Sequence, residues 1–287
     1  MRQFIVILTI LLALCSRGAT KEQMRFHCGQ DTVRINELLA LGAASGLHDA
    51  NALVAFYAQQ LLGTPYLGHT LEGERELLTI NIHELDCTTF VETLYALTRA
   101  TLDGRRSWRD YAASLESVRY RGGTMGDYAS RLHYISEWII DNNSRGNLVE
   151  ATIDLPHMQY QVKTINFMTQ HAGSYQSLRN DPAMVERIRA VEEKLRSLRT
   201  PLLKKSWLGR VDVKAALRTG DFVGLVTTID GLDISHLGII VKDAAGEPHL
   251  LDASLSGGHV MLESQPLKAY LSGARSTVTG IRVFRMK

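Results

Sequence analysis

The chain has 287 residues, of which 45% are hydrophobic and 22% are charged, enough material for a sizeable core in one or two domains. The 32 basic residues outnumber the 30 acidic ones by only two, and basic pairs such as Lys204-Lys205 are isolated. This balance gives no basis for nucleic-acid binding.

The first residues have the layout of a secretory signal. A short basic start precedes an apolar run over residues 4–14 that is too short to span a membrane. We therefore predict a signal peptide over 1–19 and export to the periplasm, with an uncleaved anchor as the alternative. Cys15 leaves room for a lipoprotein, although Leu14 is bulky where a lipid-attachment site has a small residue.

Helical periodicity dominates the next part of the chain. Residues 31–62 are predicted to be helical, the Gly- and Pro-containing segment 63–68 a turn, and 76–82 a short strand. A helix is then predicted to begin near Cys87, because Asp86 can cap it and apolar residues follow at helical spacing.

The pattern changes again after residue 104. Helices are predicted over 107–118, 127–141 and 182–199, with short strands over 148–153 and 160–165. The last part alternates short apolar runs with turn signals and is predicted to be β, with strands over 221–228, 234–242, 249–254, 259–263 and 278–284.

Helices followed by strands predict an α+β fold. We expect a single domain over 20–287, with a core of 50–103 and 210–287 and a mainly helical insertion over 104–209.

Cys87 is the strongest candidate for a catalytic residue. A thiol in the first turn of a helix lies at the positive end of the helix dipole, which favours the nucleophilic thiolate. Its backbone N–H can also bind an oxyanion, and Tyr66 in the preceding turn is a candidate second donor. The alternative is a disulfide between Cys87 and Cys28.

His236 and Asp252 can complete a nucleophilic site. If Lys242 pairs with Pro248 across a hairpin, His236 and Asp252 become diagonal neighbours on one face of the sheet. The same register puts His249 on the other face. His236 would then move the proton and Asp252 would hold the imidazole tautomer.

No metal site, cofactor or phosphate-binding loop is predicted. The pair His83-Glu84 begins like a zinc-protease motif, but position 87 is a cysteine and the other histidines show no ligand spacing.

Several segments resemble a known family. These are Gly63-x-Pro65-Tyr66-x-Gly68, Leu85-Asp86-Cys87-Thr88-Thr89-Phe90-Val91, Gly220-Asp221 and Ser235-His236-Leu237-Gly238. They are similar to the NlpC-type, papain-like cell-wall cysteine peptidases, in which a cysteine helix packs on an antiparallel sheet. Arg131-Leu132-His133-Tyr134, Trp138 and Ile165-Asn166-Phe167-Met168 also resemble the N-acetylmuramoyl-L-alanine amidase-like family within them.

The resemblance implies hydrolysis of the N-acetylmuramoyl-L-alanine amide bond in muropeptides, including anhydro-muropeptides. Cys87 and His236 carry over as nucleophile and base, whereas Asp252 stands where His, Asn or Gln is expected. Arg131 and Tyr134, with Trp138, could share a helix face and bind sugar or carboxylate, although an inward-packing aromatic face explains Trp138 as well.

Three alternatives stay open. An endopeptidase could cut the stem peptide between D-glutamate and diaminopimelate, with Asp86 and Tyr66 holding the free amine of L-alanine. The chain could also be a non-catalytic wall-binding module, or a transferase that uses an amine in place of water. Each has peptidoglycan fragments as its partner; no protein partner is required, and the oligomeric state stays open.

Overall fold

A computed structural model describes residues 18–273 and 276–287. Almost all of the predicted signal peptide, including Cys15, lies outside these ranges. None of the helices in the described ranges is long and apolar enough to cross a membrane.

The described chain forms an α+β structure, as predicted. Its helices are α1 Asp31–Ala44, α2 Ala50–Gln60, α3 Cys87–Leu102, α4 Trp108–Arg119, α5 Ile135–Ser144, α6 Phe167–Gln170, α7 Pro182–Leu195, α8 Val211–Ala216 and α9 Leu267–Ser272. Its strands are β1 Met24–Phe26, β2 Leu78–Ile80, β3 Leu148–Glu150, β4 Gln159–Val162, β5 Arg199–Lys204, β6 Phe222–Thr227, β7 Ile234–Lys242, β8 Pro248–Ser254, β9 His259–Pro266 and β10 Val278–Met286.

Among the described residues the main sheet has eight strands, and all of their pairings are antiparallel. Seven strands follow the order β4-β5-β10-β6-β7-β8-β9, while β3 pairs with the end of β10. A separate parallel pair, β1 with β2, joins the first described segment to the chain before α3.

Both faces of the main sheet are covered. On one face α3 packs against β7 and β8 and is itself flanked by α1, α2 and α4. Phe222 and Leu251 point into this core, whereas Val223 and Leu250 point into a second core that includes residues of α8 and α9. Since both faces are buried, the central strands are apolar at nearly every position.

Two helix predictions are wrong in their extent. Helix α5 begins at Ile135, so the predicted helix over 127–141 is replaced in its first half by a 3₁₀ turn, Tyr128–Ser130, and a loop. Helix α7 ends at Leu195 instead of 199, because Arg199–Lys204 pairs with β10 and β4. Segment 104–209 therefore contributes strands to the main sheet as well as helices.

Candidate active site

Helix α3 places Cys87 in its first turn. Asp86 is the N-cap: its Oδ1 accepts a hydrogen bond from the Thr89 backbone N–H at 2.8 Å, and Thr89 Oγ1 accepts one from the Asp86 N–H at 2.9 Å. This reciprocal box fixes where the helix starts. The cap and the buried face predicted for this helix, including Phe90 and Leu94, are confirmed. Cys87 is therefore held against the positive end of a 16-residue helix.

The turn over 63–68 joins this helix start to the sheet. The Leu85 N–H donates to the Pro65 carbonyl at 3.0 Å, and the Tyr66 N–H donates to the Gly258 carbonyl at 2.8 Å. Tyr66 is thus held between the segment before Cys87 and the β8–β9 hairpin. Burial raises the pKa of its phenol, and the charges of Cys87 and Asp86 raise it further, so the hydroxyl keeps its proton.

The β7–β8 hairpin brings His236 and Asp252 together. The predicted pairing of Lys242 with Pro248 is confirmed and continues to Ile239 opposite Leu251. In this register Asp252 lies beside Gly238, where an added Cβ would be 3.1 Å from the Asp252 Cβ. His236 Nε2 and Asp252 Oδ2 form a short hydrogen bond, and the Asp252 side chain is fully buried.

His249, the alternative orienting group, lies elsewhere. Its Nδ1 is 3.0 Å from the Glu263 carbonyl oxygen and its Nε2 is 3.5 Å from Asp243. The expectation that the hairpin register keeps His249 away from His236 is therefore confirmed.

The electrostatic environment of His236 is set by two acidic groups. Burial lowers the pKa of the imidazole, but the charge of Cys87 and hydrogen bonds with Asp252 and Cys87 raise it more, to about 10. Since Nε2 faces Asp252, Nδ1 is the ring nitrogen left for the thiol. The cluster therefore favours the protonated imidazole of His236, held beside the Cys87 thiol by a buried carboxylate.

Cys87 and His236 open onto a cavity of about 670 Å³. Besides these two residues it is lined by Tyr66, Ser235, Leu255, Ser256, Thr277 and Val278. Leu255 is 73% exposed, and a leucine within the Ser- and Gly-rich turn over 254–258 is the sequence feature that could have indicated it. Such a cavity can take a ligand with both polar and apolar groups.

A second cavity of about 250 Å³ lies on the other side of Tyr66. Asp86, Glu72, Glu92 and Arg131 are among the residues that line it. Arg131 is almost fully buried; its Nη2 is 3.0 Å from Glu72 Oε1 and its Nε is 3.5 Å from Glu76 Oε1. Of the other acidic residues of this cavity, Glu72 is distant in sequence from Cys87 and Glu92 is on the buried part of α3, so the sequence pattern pointed only to Asp86 and Arg131.

Tyr134 and Trp138 are not part of either cavity. Tyr134 is the residue before α5, and its hydroxyl donates to Glu192 Oε1 and accepts from the Met168 N–H, both at 2.8 Å. Trp138 packs against Phe284 in the core. The predicted shared helix face of Arg131, Tyr134 and Trp138 is wrong, because the first two precede the helix.

Cys28 and Cys87 are both free thiols in the structure, so the alternative of a disulfide between them is wrong. The Cys87 sulfur lies 4.0 Å from Thr88 Oγ1.

These elements define an α+β protein in which a thiol, an imidazole and a buried carboxylate converge at a helix start. The chain belongs to the N-acetylmuramoyl-L-alanine amidase-like family, called AmiA-like, whose model matches residues 57–280.

Solved structures agree with this assignment. A crystal structure of an N-acetylmuramoyl-L-alanine amidase from Bacteroides uniformis is 33% identical, covers 83% of this chain and 99% of its own, and has a TM-score of 0.78. A Bacteroides fragilis protein described as a putative xylanase is 36% identical, with 80% and 99% coverage and a TM-score of 0.75. A Legionella pneumophila protein of family DUF1460, at 20% identity, 90% and 94% coverage and a TM-score of 0.69, supports the fold alone. No curated protein matches the chain.

Proposed function

We propose that this protein is a cysteine amidase with a papain-like, NlpC-type core that hydrolyses the N-acetylmuramoyl-L-alanine bond of muropeptides. The observation that carries the proposal is the position of His236, which lines the same cavity as Cys87 and is hydrogen-bonded to the buried Asp252. A thiol next to a base that is itself oriented by a third group is the signature of nucleophilic catalysis.

In the first half of the reaction the Cys87 thiolate attacks the carbonyl carbon of the lactyl group. The carbonyl oxygen becomes an oxyanion, which the Cys87 backbone N–H can bind because first-turn N–H groups have no acceptor within the helix. Tyr66 lines the same cavity and supplies a second donor. The C–N bond then breaks, and the His236 imidazolium gives its proton to the leaving amine of L-alanine.

In the second half a water molecule hydrolyses the thioester. The now neutral His236 takes a proton from the water as the oxygen attacks the thioester carbonyl, and the C–S bond breaks. The lactyl carboxylic acid of the sugar is released and loses its remaining proton to solvent, the stem peptide having left earlier, and the thiolate–imidazolium pair is restored. Asp252 keeps the ring orientation through both halves by accepting the Nε2–H bond.

The similarity to a named amidase supports this bond as the target. Glycosidase chemistry, as the name of the Bacteroides fragilis protein would suggest, requires two carboxyl groups that flank one bond. Among the described residues, no aspartate or glutamate lines the cavity that contains Cys87. The site therefore favours an amide substrate.

Further parts of the proposal concern substrate and location. Asp86 and Arg131 lie in the cavity beside Tyr66, where they could bind polar groups of the stem peptide. Tyr134 is buried, with its hydroxyl bonded to Glu192 and the Met168 N–H, so it is not part of the proposed substrate site. The signal-like start of the sequence supports export to the periplasm, where peptidoglycan fragments would be the substrate.

One observation favours a second candidate, an endopeptidase that cuts the stem peptide after D-glutamate. The cavity beside Tyr66 contains the carboxylates of Asp86 and Glu72, which suit the ammonium group of a free L-alanine N-terminus. In that case the scissile bond would lie further along the peptide and the sugar would be absent from the substrate.

A single digestion separates these functions. The mature chain is kept reduced and incubated in ¹⁸O-water with a disaccharide-tetrapeptide and, separately, with the free tetrapeptide. The masses of the products are measured by mass spectrometry. The amidase releases an intact stem peptide and puts ¹⁸O on the lactyl carboxylate of the sugar. The endopeptidase cuts the free tetrapeptide and puts ¹⁸O on the D-glutamate side.

Two controls complete the digestion. Cys87→Ala must abolish cleavage, and product transfer to an added amine would reveal a transferase. If neither wild type nor Cys87→Ala cleaves either substrate but both bind muropeptide equally, the protein is a wall-binding module and the amidase proposal is wrong.

A further inference from the structure

We propose that Cys28, Asp31 and His83 form a binding site for a divalent metal ion of the zinc class. The proposal is independent of the amidase activity and concerns a cluster outside the two cavities described above. Cys28 and Asp31 lie between β1 and the first turn of α1, whereas His83 lies in the segment that leads to α3.

The three ligand atoms are spaced for one ion. A thiol, a carboxylate oxygen and an imidazole nitrogen all lie within 4.8 Å of one another, and His83 Nε2 is 3.8 Å from Asp31 Oδ1. Zinc–ligand distances of about 2.0–2.3 Å in a tetrahedron place neighbouring ligand atoms roughly 3.3–3.8 Å apart. For a nitrogen and an oxygen ligand the separation would be about 3.3–3.5 Å, so the imidazole and carboxylate have to approach by about 0.3–0.5 Å and the thiol by up to about 1.3 Å.

Within the described residues, the Nε2 atom of the His83 imidazole has no hydrogen-bond partner. This atom is buried. A buried ring nitrogen without a partner is costly, and a metal ion would satisfy it. Its position is fixed from the backbone, because Asn81 Oδ1 accepts hydrogen bonds from the His83 and Glu84 N–H groups, each at 3.0 Å.

The carboxylate is equally well positioned. Asp31 is fully buried; its Oδ2 accepts from the Cys28 N–H at 2.7 Å and its Oδ1 from the Ile82 N–H at 3.2 Å. These bonds orient Asp31 in the way that outer hydrogen bonds orient metal ligands. They also show that Asp31 has a structural role, so it is a poor choice for mutation.

The ligand types select the ion. A thiolate with an imidazole suits Zn²⁺, whereas Mg²⁺ and Ca²⁺ prefer sites made of oxygen atoms. Cys28 would bind as the thiolate and release its proton to solvent. Water can take the fourth position, and the pair of His27 and Glu84, 3.4 Å apart, adjoins the site.

The sequence could not show this site, because its ligands are 55 positions apart (83 − 28 = 55) and meet only through the fold. The parallel pairing of Phe26 with Ile80 brings the two segments side by side. An ion there would join the start of the described chain to the segment four residues before Cys87.

The test uses Cys87→Ala as the background, because the thiol, histidine and aspartate of the active site could themselves bind zinc. Zinc bound per chain is measured after equilibrium dialysis against Zn²⁺, together with the midpoint of thermal unfolding. Cobalt substitution adds a spectroscopic readout, since a thiolate ligand produces a charge-transfer band. Cys28→Ser and His83→Gln are introduced separately, and His48→Gln, an exposed histidine on the α1–α2 connection, is the matched control.

We expect one zinc per chain in the background and in His48→Gln, with a higher unfolding midpoint and a thiolate–cobalt band. Cys28→Ser and His83→Gln should each weaken zinc binding by more than about 100-fold, since even the outer partners of metal ligands contribute about 10–100-fold. The Cys28 variant should also lack the charge-transfer band. No zinc in the Cys87→Ala background, or equal zinc binding in all four proteins, would overturn the proposal whatever the outcome of the muropeptide digestion.

Discussion

Replacing Asp252 tests the catalytic assignment most directly. In the folded chain its carboxylate accepts a hydrogen bond from His236 Nε2, and the side chain is fully buried. Asp252→Ala leaves the N–H of a charged imidazolium without this partner. Asp252→Asn keeps an acceptor and a similar volume but removes the negative charge.

The size of the effect follows from this single bond. A hydrogen bond to a charged group contributes about 1.5–3 kcal/mol. Each 1.36 kcal/mol changes a rate about tenfold, so the loss corresponds to a decrease of about 10–150-fold in kcat/KM for Asp252→Ala. Asp252→Asn should fall between this variant and wild type.

The pH profile supplies an independent readout. The His236 imidazole must be protonated for the amine to be released. Its pKa is raised to about 10 by interactions with Cys87 and by the bond to Asp252. Activity should therefore decline as the pH rises through about 10 in wild type. In both variants this alkaline limb should move to lower pH, and further in Asp252→Ala.

The assay is the rate of stem-peptide release from a muropeptide across the pH range. Asp221→Asn is the matched control, because Asp221, directly before β6 of the same sheet, is equally buried but pairs with Arg285. It should lower stability without moving the alkaline limb. A folded Asp252→Ala enzyme with the rate and pH profile of wild type would refute the role of Asp252.

Three further perturbations have defined outcomes. Cys87→Ser should stop product release. In Cys87→Ala the pKa of His236, followed by NMR titration, should fall, because the interaction with Cys87 is the largest one that raises it. An unchanged pKa would mean that Cys87 and His236 do not interact. Gly238→Ala puts a Cβ 2.8 Å from the Leu251 carbonyl oxygen, so β8 must move. We expect the free energy of unfolding, measured by chemical denaturation, to fall by about 1–3 kcal/mol, and the activity to fall as well. Arg119→Met leaves Glu92 buried without the Arg119 Nε that lies 2.7 Å from its Oε2, and it should lower the free energy of unfolding by about 3–5 kcal/mol. A decrease smaller than the one caused by breaking an exposed ion pair would contradict the structure.

The parts of the site that could be predicted from the sequence are those governed by local rules. The start of α3 was predicted from Asp86, because N-capping depends on the neighbouring backbone N–H groups and not on distant contacts. The pairing of His236 with Asp252 follows from a short hairpin turn and a side-chain period of two. Both rules act within a few residues of the side chains that they position.

The parts that could not be predicted depend on contacts between distant segments. Residues 199–204 are β because β10 and β4 lie beside them, and local helical periodicity had no means of showing this. Arg131 looked like a helix residue, but the carboxylates of Glu72 and Glu76 hold it in an extended segment. Tertiary contacts of this kind override weak local preferences.

Asp252 also shows why the site costs stability. Its Oδ1 is buried and has no hydrogen-bond partner in the described chain, so the carboxylate depends on His236 alone. Its neighbours in β8, Leu251 and Ala253, are buried apolar residues, and an apolar side chain at 252 would fill the same place without the cost of a buried charge. A sequence selected only for stability would have no reason to keep the charge there, and departures of this kind are expected at functional sites. The buried carboxylate is therefore an argument for the catalytic assignment that does not depend on the similarity to known amidases.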